Sequence, residues 1–183
     1  MHDIFEKGYL CSVIEHEMKH LQPIITYQHD LIPAPRSILL EQGPAAYMEV
    51  VKMLTSRFED FLIDIYANSA MSNNGLKKYL EFEGAKLKRL YSKKEGCMIT
   101  PLMLISSYIE VCYENIGVSV PMEIVSILNS LQEDETNKAI YEKMKTVYRT
   151  MWISVKQGQQ EVDLKQLTYD LNELLKCQKN SWF

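Results

Sequence analysis

The sequence predicts an all-α protein, and three observations carry that expectation. Glycine and proline are scarce, at seven and six of 183 residues, while Leu, Met, Glu and Lys are abundant, a composition that favours helices. Apolar residues recur three and four apart through most of the chain, the spacing of one helix face. No alternating run bounded by turns is present, and "SILL" and "GVSV" are too short to found a sheet. About seven helices follow, in a single domain over residues 1–183, arranged as an irregular bundle or a short helical array. A hydrophobic content of 46% suits one proper core. No repeat appears at the periods of about 34 or 40 residues that mark regular solenoids.

The punctuation divides the chain in order. A first helix should run from about Asp3 to Leu21, with Leu10, Val13, Ile14, Met18 and Leu21 at apolar positions, and Pro23 ending it. Residues 22–43 hold Pro23, Pro33 and Pro35 and form the longest irregular segment, with a short turn near 37–42. A second helix should start at Gly43-Pro44, proline being favoured at the first helical position. It should reach about Ala67, with Tyr47, Val50, Val51, Leu54, Phe58, Phe61, Leu62 and Ile65 in one stripe. "SNNG" at 72–75 reads as a turn. A third helix over about 74–94 carries Leu76, Leu80, Leu87, Leu90 and Tyr91 on one side, and Gly84 weakens its middle.

The fourth helix opens at Thr100-Pro101, a capping residue followed by proline. "LMLISSYIEVCYENIG" is uncharged until Glu110, so it should be the central, most buried helix. Gly117 ends it. A fifth helix follows Ser119 and Pro121. The sixth runs from "DET" to about Gln157, with Ala139, Ile140, Met144, Val147, Tyr148, Met151 and Val155 inward. The seventh spans about Asp163 to Lys176 on Leu164, Leu167, Leu171, Leu174 and Leu175.

Charge and cysteine usage narrow the class. A formal net charge of −4 and 24% charged residues point neither to disorder nor to a dominant nucleic-acid footprint. Cys11, Cys97, Cys112 and Cys177 form no C-x-x-C pair. That pattern suits reduced thiols in a cytoplasmic or nuclear protein. "MHDIFEKGYL" lacks a signal-peptide core, and no apolar run approaches the roughly 20 residues of a membrane span. Cys97 follows basic residues in a turn, which lowers a thiol pKa, but no histidine is placed by sequence to pair with it.

The one enzyme-like string is "HEMKH", residues 16–20. Histidines at i and i+4 lie one helical turn apart and can share a metal, while the intervening glutamate can polarise a bound water. A zincin also needs a third ligand and a cleft behind the helix. Only fifteen residues precede His16, too few for the usual sheet, and Leu21-Gln22-Pro23 excludes the metzincin extension. His29, Glu49 and Glu59 are the third ligands within reach of the pattern. On a helical wheel of roughly 100° per residue, Leu10, Ile14 and Leu21 mark the centre of the buried face. His16 and His20 then flank it near Phe5 and Tyr9. Glu17 falls inside the apolar arc, where a carboxylate needs a basic or hydroxyl partner.

The second distinctive stretch is "KKYLEFEGAKLKRLYSKK", residues 77–94. Seven basic against two acidic residues give it a local charge of +5, leaving −9 for the rest of a chain that totals −4. Lys78, Phe82, Lys86, Arg89 and Lys93 share one face of the helix, opposite the leucines. Such a face can be solvated, can dock an acidic partner, or can track phosphates.

No nucleophile elbow, phosphate loop or kinase signature accompanies these features. The expected function is therefore a non-enzymatic helical protein-interaction module, an adaptor or regulator. It would act through an exposed helix groove or through the basic face of Lys78, Phe82, Lys86, Arg89 and Lys93. The partner would be a protein or peptide, with no catalytic residue, cofactor or metal assigned. The first alternative is nucleic-acid binding through residues 77–94. The second is a zinc-dependent hydrolase with His16 and His20 as ligands and Glu17 as base, the one case in which zinc is a cofactor. Trp182 and Phe183 at the end of the sequence pack on the last helix or anchor a partner.

Overall fold

The computed structural model describes residues 7–21, 26–94 and 98–178. The fold is all-α, as the spacing predicts. In chain order the elements are α1 Lys7–His20, β1 Thr26–Gln28, α2 Arg36–Ser69, α3 Asn73–Tyr91, α4 Ile99–Asn115, α5 Met122–Leu131, α6 Glu135–Lys156, β2 Glu161–Asp163 and α7 Lys165–Cys177.

The helix ends follow local chemistry. Ser72 caps α3, its Oγ accepting from the Gly75 N–H at 3.1 Å. Asp134 caps α6, accepting from the N–H groups of Thr136 and Asn137. These side chains occupy donors that a helix start leaves open. Pro121 stands immediately before α5. Within α2, Gly43 takes φ 87° and breaks the helical path before Pro44, a left-handed conformation that glycine adopts without a Cβ penalty.

α4 is the centre of the molecule. Every residue from Leu102 to Ile109 is buried, and α4 packs against α2, α3, α5 and α6. Ser106 and Ser107 survive there because their hydroxyls donate back to the Leu102 and Met103 carbonyls. The α4–α6 seam carries a charged anchor. The buried Lys145 ammonium lies 2.8 Å from Glu110 and 3.3 Å from Glu114. The Tyr141 hydroxyl also donates to Glu110 at 2.8 Å, and Arg149 grips Glu114 with two hydrogen bonds. Gly84, read from sequence as a weak point, lets α5 approach α3. A Cβ there would meet Ile124 Cδ1 at 2.6 Å.

The segment 22–43 is not simply irregular. Its described part contains β1, which pairs in parallel with β2 in the register Thr26↔Glu161, Tyr27↔Val162 and Gln28↔Asp163. A helix-only reading misses this ladder because three residues are too few for a period-two pattern to stand out. Helix also begins at Arg36, seven residues before the predicted start. Between them the chain is tied down. Asp30 N–H donates to Thr168, Ile32 N–H to Thr55, and Asn172 to the Leu31 carbonyl. Cys97, Trp182 and Phe183 lie outside the described residues.

Candidate functional site

α1 lies across the bend where α2 gives way to α3. The histidine pair faces the end of α2, and the N-terminal half runs along α3. This reverses the face that the wheel predicts. Leu10, Ile14, Met18 and Leu21 are 46%, 49%, 61% and 85% exposed. Ser12 and His16 are buried instead. Glu17 is exposed and makes no hydrogen bond or ion pair among the described residues, so the partner expected for it is not needed.

The reversal has a local cause. Asn68 is buried on α2, where its Nδ2 donates to the Tyr108 hydroxyl at 2.6 Å and to Cys112 Sγ at 3.6 Å. Its Oδ1 then requires a donor, because a buried amide oxygen left unpaired costs about 1–3 kcal/mol. The apolar ridge of α1 offers none. His16 does, its Nδ1–H donating to Asn68 Oδ1 at 3.0 Å. One turn along both helices, His20 meets Asp64. Two polar pairs thus match across the interface and set the rotation of α1. The Tyr79 ring stacks on His16 with centroids 4.2 Å apart. On the far edge of the same interface, Glu15 accepts from the Ser72 N–H at 2.6 Å.

His16, His20 and Asp64 converge on one point. The two Nε2 atoms are 2.9 Å apart, and they lie 3.3 and 3.4 Å from the same Asp64 Oδ1. The His16 side chain is 3% exposed, while those of His20 and Asp64 are each 23% exposed, so the cluster opens to solvent on one side. Burial lowers the His16 pKa, but the hydrogen bond and charge of Asp64 outweigh it and raise the pKa overall.

Asp64 is the member that sequence reasoning missed. The third ligands considered from sequence go elsewhere. His29 and Glu59 pair with each other at 3.3 Å, and Glu49 is exposed. The available signal was Asp64 interrupting the stripe of Phe61, Leu62 and Ile65, with Asn68 four residues on. That is a D-x-x-x-N pair facing an H-x-x-x-H pair.

The basic stripe follows the wheel as far as Arg89; α3 ends at Tyr91, three residues short of the expected end, and Leu90 is 43% exposed where the wheel turns it inward. Lys78, Phe82, Lys86 and Arg89 are exposed along α3, while Lys93 is exposed in the turn that follows its end at Tyr91. Lys86 lies 3.5 Å from the buried Glu83. Phe82 leans on Tyr9 of α1, with ring centroids 4.7 Å apart, so the stripe borders the helix that carries the exposed ridge.

Comparison with protein families, curated proteins and solved structures finds no match.

The site therefore rests on its own geometry. Among the described residues, no helix is long and apolar enough to cross a membrane.

Proposed function

We propose that this chain is a helical protein-interaction module that binds an amphipathic helix with acidic residues along its flank. The observation that carries this reading is the outward ridge of α1. Four large apolar side chains stand in helical spacing on a surface helix, and Ile14 and Met18 line a shallow groove with Cys11, Glu15 and Lys19. Fully burying a side chain of this kind is worth about 1.5–3 kcal/mol. Half-exposed ridges of this spacing suit helix-in-groove recognition. The adjoining stripe of Lys78, Lys86 and Arg89 on α3, continued by Lys93 just past its end, selects the charge of the partner. No catalytic role is needed for this surface.

The test uses a labelled synthetic helix with leucines on one face and glutamates on its flanks, followed by fluorescence anisotropy. Binding should be lost in Ile14→Asp and weakened, with a salt dependence, in Lys86→Glu/Arg89→Glu. Binding unchanged by both variants overturns the proposal. A labelled single strand that binds in place of the peptide, with affinity abolished by Lys86→Glu/Arg89→Glu, would assign the stripe to nucleic acid instead. A dimer in sedimentation that Ile14→Asp dissolves would assign the ridge to a second copy of the chain.

A further inference from the structure

We propose that His16, His20 and Asp64 bind one divalent transition-metal ion of the zinc class. The inference is independent of the docking ridge, which lies on the opposite face of α1.

The geometry of the three atoms carries it. Metal–nitrogen and metal–oxygen bonds of about 2.1 Å put ligand atoms roughly 3.0 Å apart in an octahedral corner and roughly 3.4 Å apart in a tetrahedral one. The three edges here are 2.9, 3.3 and 3.4 Å. An ion about 2.1 Å from all three atoms would sit about 1 Å out of their plane, capping one face. Two imidazoles and one carboxylate form a borderline donor set, suited to zinc or iron rather than to magnesium or calcium.

The surroundings fit a ligand role better than a simple ion pair. Binding a carboxylate takes one histidine, and here two Nε2 atoms crowd a single oxygen. Those nitrogens are close enough to compete for one proton, whereas a cation accepts a lone pair from each. His16 is also held in the tautomer that a ligand needs. Its Nδ1–H is engaged by Asn68, which leaves Nε2 as the donor atom. Asn68 is in turn anchored by Tyr108 and Cys112. Such outer partners orient metal-binding imidazoles. The partly exposed side of His20 and Asp64 leaves room for water to complete the coordination.

The experiment uses the whole chain, stripped with a chelator and titrated with zinc chloride by calorimetry. One zinc per chain is expected. His20→Ala and Asp64→Asn should each weaken it by on the order of 100-fold, and Asn68→Ala by about 10-fold. Circular dichroism of the metal-free variants checks that they fold. Should they not, the unaltered chain still decides the matter. In histidine-ring nitrogen spectra, the Nε2 signals of His16 and His20 should move on zinc addition while those of His29 stay. Absence of stoichiometric zinc, full affinity in folded His20→Ala and Asp64→Asn, or movement of His29 in place of the pair would overturn the site.

Discussion

α1 and α4 bury themselves by opposite rules. α4 is apolar on nearly every side, so any rotation about its axis buries much the same area, and its neighbours close around it. α1 has a clear apolar ridge, yet the ridge faces outward. Its rotation is set by the His16–Asn68 hydrogen bond and the contact of His20 with Asp64. Hydrophobic burial is large but non-directional. Hydrogen bonds are modest but specific in direction, and a buried group left without one is costly. In a helix of only four turns, with apolar residues on one side and histidines on the other, the directional interaction wins.

The comparison can be broken most forcefully at the charged anchor between α4 and α6, where Lys145 of α6 meets Glu110 and Glu114 of α4. Lys145→Ala leaves Glu110 on the α4–α6 seam without its cation, which should cost about 3–5 kcal/mol in urea unfolding. The neighbouring Glu114 is held below the usual carboxylate range by Arg149 and Lys145, whose hydrogen bonds and charges overcome its desolvation. That contribution is present above the unfolded value of 4.5 and is lost as pH falls through the lower folded value. Lys145→Ala should therefore shrink the part of the stability that is lost on acidification, so the fall below 4.5 becomes shallower.

A direct contrast comes from trimming one apolar side chain on each helix. Leu104→Ala on α4 removes a fully buried side chain and should cost about 2–5 kcal/mol. Ile14→Ala on α1 should stay within about 0.5 kcal/mol, as surface changes do. If Ile14→Ala proves the more damaging in thermal melts, α1 is turned the other way.

The polar control of α1 can be tested alone. Asn68→Ala should cost about 1–3 kcal/mol, and hydrogen exchange should show the α1 amides losing protection while those of α4 keep it.

The smallest effect belongs to Glu83, buried on α3 near α1. Burial raises its pKa, and the charge of Lys86 does not fully offset this. The folded protein then holds the proton more tightly than the unfolded chain. Glu83 therefore withdraws stability as pH rises from the unfolded 4.5 through the folded value. Glu83→Gln should raise the melting temperature slightly at neutral pH and leave it unchanged well below 4.5.

Much of the architecture is legible in the sequence. The long stripe of α2, the uncharged run of α4 and the proline before α5 each leave a strong local mark, because spacing and capping act within a few residues. The β1–β2 ladder left none, since each strand is three residues long and they pair across more than 130 positions. The candidate site was half visible. His16 and His20 stand in a recognisable pattern, but Asp64 is one acidic residue among many until α2 folds against α1. Glu17 was misjudged for the same reason as Leu10 and Ile14. The wheel locates an apolar face but carries no information about a polar demand on the opposing helix.

The sequence by itself determined that this protein is helical, where most helices start and stop, which helix is central and where the basic stripe runs. These follow from propensity, periodicity and caps, all short-range properties of the chain. Only the tertiary structure decided which face of α1 turns inward, and with it the meeting of His16, His20 and Asp64 and the outward ridge beside the basic stripe. The physical reason is that a single buried amide on α2 needs a partner, and that need is met across space by a residue 52 positions away.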